Sequence, residues 1–294
     1  MSNRTGLWLY AVTRPSDDLD GLAITGMRGQ PVCLRDVGDL VAIATVLDLD
    51  AAPAADLGTA LNDLPTLEPI ARAHHAVITV VARMGATLPA RLATVFADHD
   101  SLDALLAERR YQLHAALDHV AGRTEWGIKV YPRAMAADAA DSADDGSATG
   151  AGARYLQRRR AELDAGRRAA ARTAATAQTI YRVLARHSQQ AQQNLVGRVP
   201  RAEVPVLNGA FLVDDRDVGV FLGAVDGLRH SNPEVRVDIT GPWPAYSFAE
   251  LNLEQTDLHL DQAELNPEPA ELSLERTEPS RAAAAGLGAD RAAL

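Results

Sequence analysis

The chain has 294 residues, a net charge of −10 and a sequence pI of about 5.3, and Lys129 is its only lysine. This length predicts two domains, each able to bury its own core. A nucleic-acid-binding protein needs a basic face, so the acidic balance argues against nucleic acid as a partner. The single cysteine, Cys33, excludes an internal disulfide, and no segment reaches the ~18 apolar residues of a membrane span. We therefore expect a cytoplasmic protein.

Short strands are predicted at the start of the chain. Residues 7–12, Leu-Trp-Leu-Tyr-Ala-Val, form a continuous apolar run that predicts a buried strand. Residues 32–35 and 40–47 predict two further strands, and the few residues between them suit a hairpin. Residues 48–64 are rich in Ala, Asp, Pro and Gly and predict a loop.

An amphipathic helix is predicted from Pro65 to Gly85. Its core face consists of Ile70, Ala73, His74, Val77, Ile78 and Val81. We interpret His74 as a core histidine that is bonded to a backbone or hydroxyl group. A catalytic or ligand role for His74 would need a partner that the sequence does not offer.

The next segment combines a strand, a helix and another strand. Residues 87–96 predict one strand with a proline near its start. Asp98 or Asp100 can cap the following helix, which ends at Gly122. Its apolar stripe consists of Leu102, Leu105, Leu106, Leu113, Leu117 and Val120. Residues 125–131 predict the second strand.

A long helix follows a segment with few large apolar residues. Residues 134–152 are mostly Ala, Asp, Ser and Gly and predict a flexible linker. The Ala- and Arg-rich residues 155–195 predict the helix. Its few bulky apolar residues are Tyr155, Leu156, Leu163, Ile180, Tyr181 and Leu184. We therefore expect a thin buried seam, with much of the helix left to project or to pack on another chain.

The last predicted elements are a strand, a helix and a second strand. Residues 205–213 predict a strand with a bulge at Asn208-Gly209, and Asp217 can cap the helix that follows. The helix carries the stripe Val218, Phe221, Leu222, Val225 and Leu228. Residues 235–240 alternate between apolar and polar, and the strand is expected to stop at Gly241-Pro242.

Three aromatic residues follow that last strand. Prolines flank Trp243, and Tyr246 and Phe248 come directly after. Two interpretations stay open: the rings cap a sheet edge as core residues, or they form a rigid aromatic anchor for a partner. Residues 254–294 are acidic and predict a largely disordered tail.

Five motifs carry a resemblance to a known family. They are Ala-Arg-Ala-His at 71–74, Leu-Pro-Ala-Arg-Leu-Ala-Thr-Val-Phe at 88–96, Glu-Trp-Gly-Ile-Lys-Val at 125–130, Asn-Gly-Ala-Phe-Leu-Val at 208–213, and Thr-Gly-Pro-Trp-Pro-Ala-Tyr-Ser-Phe at 240–248. In order and spacing the chain resembles the GvpL/GvpF family of gas vesicle proteins. One departure is Ala93, where many members of the family have glycine.

The resemblance implies an α+β fold of two ferredoxin-like α/β-sandwich domains joined by a flexible linker, with a long helix. The expected division is an N-terminal domain at 1–133, a linker at 134–152, a C-terminal domain at 153–253 and a disordered acidic tail at 254–294. Composition and periodicity alone indicate only strands interleaved with amphipathic helices.

The resemblance also implies a role. We expect an accessory or minor structural protein of the gas vesicle that binds the hydrophobic main shell protein and other accessory proteins. It would assist nucleation or growth of the vesicle wall, in the cytoplasm and at the gas vesicle. The candidate partner-binding residues are Trp243, Tyr246, Phe248, Tyr155, Leu156 and Tyr181.

The alternative is a small-molecule-binding protein or an enzyme on a ferredoxin-like scaffold, since such folds host many functions. The sequence lacks Gly-x-Gly-x-x-Gly, Walker and Gly-x-Ser-x-Gly motifs. The adjacent His74 and His75 point about 100° apart on a helix, which suits no metal. We therefore expect no enzyme activity, no cofactor and no metal.

Overall fold

The computed structural model of the chain describes residues 5–19, 21, 23–48, 63–133, 151–195 and 203–249. These residues belong to one compact unit, Met1–Leu258, whereas a second unit, His259–Leu294, lies outside them. The predicted acidic tail also lies outside the described residues, as does the predicted linker apart from its last two residues. Those two residues already belong to the long helix.

Nine strands and five α-helices form within these residues. The strands are β1 Thr5–Thr13, β2 Cys33–Val37, β3 Leu40–Asp48, β4 Thr87–Pro89, β5 Val95–Phe96, β6 Arg123–Pro132, β7 Gln190–Gln193, β8 Leu207–Asp214 and β9 Val235–Trp243. The helices are α1 Leu64–Ala82, α2 His99–Glu108, α3 Arg110–Val120, α4 Ala151–Ala185 and α5 Val218–Ser231. The strands pair in two antiparallel sheets, so the expected α+β class is confirmed.

The central strand of the first sheet is β1, in the order β2-β3-β1-β4, with β5 also paired to β1. Every residue of β1 after Thr5 is buried, because both faces of the strand are covered. Leu7 and Leu9 pack in the core cluster of the α2 and α3 leucines. Trp8 and Tyr10 point the other way, into the cluster of the α1 residues. Burial on both faces explains the continuous apolar run.

The single strand predicted at 87–96 is wrong, because the segment forms two short strands that both pair with β1. Between them, Ala90 N donates to Tyr10 O at 2.8 Å and Leu9 N donates to Thr94 O at 2.9 Å. Ala93 has a φ of +67° and turns the chain between these contacts. The left-handed conformation of one residue therefore breaks the strand.

The helix predicted up to Gly122 is two helices, α2 and α3, with a break at Arg109 (φ −97°, ψ 11°). The capping prediction is confirmed for Asp98, whose side chain accepts from Ser101 N at 2.8 Å. The six residues of the predicted apolar stripe are all buried. The leucine pattern predicted the buried face, but it gave no sign of the break.

The second sheet has the order β7-β8-β6-β9. Its elements follow along the chain as strand, helix, strand, strand, helix, strand: β6, α4, β7, β8, α5 and β9. β6 comes from the region assigned to the N-terminal domain, yet it pairs with β8 and β9. The division into domains stays a prediction.

Three predicted features of this sheet differ from the structure. The long helix was expected to reach Leu195, but α4 ends at Ala185, and β7 then pairs with β8. The bulge expected at Asn208-Gly209 is wrong, because β8 keeps an unbroken register with β6. A Cβ on Gly209 would lie 3.0 Å from the Phe211 ring and 3.5 Å from the Tyr181 ring, so close ring packing explains this glycine.

The last strand does not stop at Gly241-Pro242, as expected, but continues to Trp243. The Gly241–Pro242 peptide bond is cis, and the register with β6 shifts between Glu125 and Gly127. β9 is an edge strand, where a proline without an N–H is tolerated. Asp217 occupies the N-cap of α5 but makes no capping hydrogen bond with its side chain.

The turn after β9 connects the two sheets. Ala245, Phe248 and Ala249 are buried in the same core cluster as Leu7 and Leu9 of β1. Ala210 and Leu212 of β8 belong to this cluster as well. The motif at the end of the last strand therefore packs against both sheets.

Candidate functional site

His74 is a buried structural residue, as predicted. Trp8 Nε1 donates to His74 Nδ1 at 2.9 Å, so this nitrogen carries no proton. His74 Nε2 lies 3.1 Å from Ala90 O and is the donor of that bond. Burial lowers the pKa of His74 and favours the neutral ring. Both ring nitrogens are occupied, which leaves neither available to act on a substrate.

The next residue, His75, contacts Trp243, the last residue of β9, and Tyr246 in the turn that follows. The Tyr246 hydroxyl lies 2.9 Å from His75 Nδ1, and the Trp243 ring centroid lies 5.2 Å from the His75 ring at an angle of 63°. Trp243 is 38% exposed and Tyr246 is 37% exposed. We call His75, Trp243 and Tyr246 the aromatic corner.

The hydrogen bonds of the aromatic corner define the tautomer of the His75 ring. The Thr79 hydroxyl donates to the carbonyl of His75 at 2.8 Å, so its proton is already used. His75 Nε2, 3.2 Å from Thr79 Oγ1, must then be the donor to that oxygen. Nδ1 is left to accept the proton of the Tyr246 hydroxyl. The ring of Tyr246 is therefore fixed in place by a directed bond.

A buried carboxylate holds the turn that follows Trp243 and carries Tyr246. Glu125 on β6 accepts from Ser247 N and from Ser247 Oγ, each at 2.7 Å. Burial raises the pKa of Glu125, and the two bonds from Ser247 partly offset this rise. Burial also raises the pKa of Tyr246, with the nearby Glu125 charge as the second cause. Tyr246 thus stays a neutral hydroxyl donor.

Two glycines permit the close approach of β6 and β9 beneath the corner. A Cβ on Gly127 would lie 2.6 Å from Thr240 Oγ1. Gly241 has a φ of +131°, and a Cβ there would lie 2.9 Å from Glu125 O. The Glu-x-Gly and Thr-Gly-Pro motifs therefore pack directly against each other, and the glycine of each motif leaves space for an atom of the other.

The structure divides the six candidate partner-binding residues into exposed and covered ones. Trp243 and Tyr246 lie on the surface, and Tyr155 and Leu156 on α4 are 67% and 68% exposed. Phe248 is buried in the core. Tyr181 is half-buried, with its ring centroid 5.5 Å from that of Phe211.

Sequence reasoning missed two residues of this site, His75 and Glu125. His75 was considered only beside His74 as a metal ligand, and its contact with Tyr246 spans 171 residues of sequence. Glu125 belongs to one of the family motifs, and that was the only signal that could have identified it. Neither contact is readable from local periodicity.

A second polar cluster surrounds Asp214 at the end of β8. The carboxylate of Asp214 accepts from Arg123 at 2.8 Å and from Gln189 at 2.5 Å, and the Arg123 bond lowers its pKa. Among the residues that the structure describes, no group of three or more His, Cys, Asp or Glu side chains could hold a metal ion. Within the same ranges, no helix combines the length and apolarity needed to cross a membrane.

Known proteins resemble this chain over most of its length. A family model described as "Gas vesicle synthesis protein GvpL/GvpF" matches residues 6–250. Gas vesicle protein L of Streptomyces sp. (strain CB03234) is 37% identical over 254 residues, which cover 82% of this chain and 92% of that protein. Gas vesicle protein F of the same strain is 27% identical over 242 residues, covering 78% and 98%.

Two solved structures share the fold. The crystal structure of GvpF from Anabaena sp. PCC7120 superimposes with a TM-score of 0.57 at 18% identity, covering 84% of this chain and 97% of that one. GvpF from Microcystis aeruginosa gives a TM-score of 0.55 at 17% identity, covering 84% and 99%. At these identities the likeness concerns the fold alone.

Proposed function

Because this chain belongs to the gas vesicle synthesis protein GvpL/GvpF family, we propose that it is an accessory or minor structural protein of gas vesicle assembly. In this proposal it binds the hydrophobic main shell protein, together with other accessory proteins, and assists nucleation or growth of the vesicle wall. It acts in the cytoplasm and at the gas vesicle, as a binding protein and not as an enzyme. The match over residues 6–250 is the observation that carries the proposal.

We propose the aromatic corner as the contact surface for the shell protein. Trp243 and Tyr246 expose part of their rings, and the bonds of Tyr246 to His75 and of Ser247 to Glu125 hold the segment in place. Rings that are already ordered lose little conformational entropy on binding, and Trp and Tyr are frequent hot-spot residues. These features suit the recognition of an apolar protein surface.

The ferredoxin-like domain arrangement is also a proposal. It is supported by the strand order of the second sheet, in which the first and third strands, β6 and β8, are central and the second and fourth lie at the edges. Since β6 pairs with β8 and β9, the second domain of this proposal has β6 as its first strand. The first sheet has the same order, with short 3-10 turns among the described residues between β1 and β2.

Co-purification with the main gas vesicle shell protein tests the proposed function. The full chain and the shell protein would be co-expressed, and the tagged full chain would be recovered under conditions that keep the shell protein dispersed. We expect the shell protein in the eluate in a fixed ratio to the chain. Recovery of no more shell protein than an unrelated acidic protein of similar size retains would refute the proposal.

A further inference from the structure

The first half of α4 extends from the body of the protein as an exposed helix. All residues from 152 to 172 are exposed except the half-buried Asp164. At a rise of 1.5 Å per residue, this stretch is roughly 30 Å long. We call residues 152–172 the α4 arm.

An apolar stripe follows α4 and is uncovered on the α4 arm. Leu156, Leu163, Ala170, Ala177 and Leu184 follow one another at intervals of seven residues. Residues seven positions apart on an α-helix lie about 20° apart around its axis. Ala177 and Leu184 are buried against the second sheet, whereas Leu156 and Leu163 are 68% and 50% exposed. The drift accumulates, so Leu163 and Leu156 lie about 40° and 60° from Ala177 around the axis, and the stripe gradually leaves the packed face and is exposed along the arm.

The α4 arm is basic in a chain whose net charge is −10. It contains seven arginines against one glutamate and one aspartate, a net charge of +5. Arg160 and Arg167 lie within about 40° of Leu156 around the axis, and Arg158 and Arg172 lie on the opposite side. Two arms of this charge would repel each other, so the pattern favours an acidic occupant that also offers apolar side chains.

The sequence contains a segment of that chemistry. Residues 251–278 consist of four seven-residue repeats, Leu-Asn-Leu-Glu-Gln-Thr-Asp, Leu-His-Leu-Asp-Gln-Ala-Glu, Leu-Asn-Pro-Glu-Pro-Ala-Glu and Leu-Ser-Leu-Glu-Arg-Thr-Glu. Each repeat has leucine at its first position and an acidic residue at its fourth and seventh. Eight carboxylates against one arginine give a net charge of −7. These residues lie outside the described ranges.

We propose that the α4 arm of one copy binds the acidic leucine repeat, residues 251–278, of a second copy. Leucines recur every seven residues in the repeat, as the apolar positions do along the arm, and the charges are opposite. The stripe is exposed in the structure of a single chain, which leaves it available to another copy. Such a head-to-tail contact is heterologous, and it produces a growing chain of copies when the rotation does not close. This inference does not depend on shell-protein binding.

Sedimentation velocity of the full chain tests the self-association. We expect the average mass to rise with protein concentration up to about 100 μM and to fall as salt screens the charges. Arg160→Glu with Arg167→Glu should weaken the association by roughly tenfold or more, because it brings like charges together. The matched control is Arg158→Glu with Arg172→Glu, which makes the same charge change on the far side of the arm and should have a smaller effect.

A charge swap identifies the occupant. The variant Asp261→Arg with Glu268→Arg changes the repeat. Alone, it should self-associate roughly tenfold or more weakly than wild type, as should Arg160→Glu with Arg167→Glu. Mixing the two variants restores the native contact between the unaltered arm and the unaltered repeat, and it also brings the two altered segments together with opposite charge changes. We therefore expect mixed complexes that neither variant forms alone.

Three results would overturn the proposal. They are a wild-type chain that stays monomeric throughout the concentration range, an equal loss of association in the Arg158/Arg172 control, and no complex in the mixture. A monomeric wild type is also the result expected if the repeat binds within its own chain.

Discussion

Ala93 lies in the turn between β4 and β5 with a φ of +67°, a conformation that favours glycine. We expect Ala93→Gly to stabilise the protein, although most substitutions destabilise. The left-handed conformation costs a non-glycine residue about 1–2 kcal/mol. Glycine removes this cost but adds about 0.4–1 kcal/mol of chain entropy in the unfolded state. The expected net gain in the free energy of unfolding is therefore about 0.5–1 kcal/mol.

Chemical and thermal denaturation of the full chain would measure the effect of Ala93→Gly. A gain of this size corresponds to a rise in Tm of roughly 1–4 °C for a protein of this length. The matched control is Ala161→Gly, an exposed position within α4. There the same change should cost about 1 kcal/mol, because glycine is a poor helix former. A loss of stability in Ala93→Gly as large as that in the control would refute the reasoning.

Two further predictions concern buried polar residues. His74→Ala should lower the free energy of unfolding by about 2–4 kcal/mol, because it leaves Trp8 Nε1 without an acceptor and opens a cavity. Urea denaturation measures this loss, with His99→Ala at an exposed position as the control. Equal effects of the two substitutions would contradict the buried role of His74. The folded-state pKa of Glu125 is raised, so its stabilising contribution is complete below its unfolded pKa and is lost as pH rises through the folded value. The stability advantage of wild type over Glu125→Gln should therefore shrink between pH 4 and pH 8, and an advantage that grows with pH would refute the assignment.

Helices with a strong apolar period were the elements best predicted from sequence. The face of α1, apart from the half-buried Ala73, and the leucines of α2 and α3 are buried as expected, since a helix must cover its apolar stripe. The long β1 strand was also readable from its apolar run. These features depend on local composition, which a single sequence contains in full.

The incorrect predictions have physical causes that the sequence hides. An alanine gives no sign that it adopts a positive φ, so the break at Ala93 was missed. β7 is Gln-Ala-Gln-Gln, with no strand-forming residue, and only its pairing with β8 makes it a strand. The sequence drew attention to the rings of Trp243 and Tyr246, whose binding role stays a prediction, but it gave no sign of His75, which reaches them only through the tertiary fold.

The proposal that the aromatic corner contacts the main gas vesicle shell protein is tested most directly by measuring how the Trp243→Ala variant binds that protein. The matched control is Tyr111→Ala, which removes an aromatic ring that is 86% exposed on α3, outside the aromatic corner. Affinity and Tm would be measured for both variants. We predict that Trp243→Ala loses about 2 kcal/mol or more of binding free energy at a nearly unchanged Tm, and that Tyr111→Ala binds like wild type. Normal binding by Trp243→Ala, or an equal loss in Tyr111→Ala, would contradict the account.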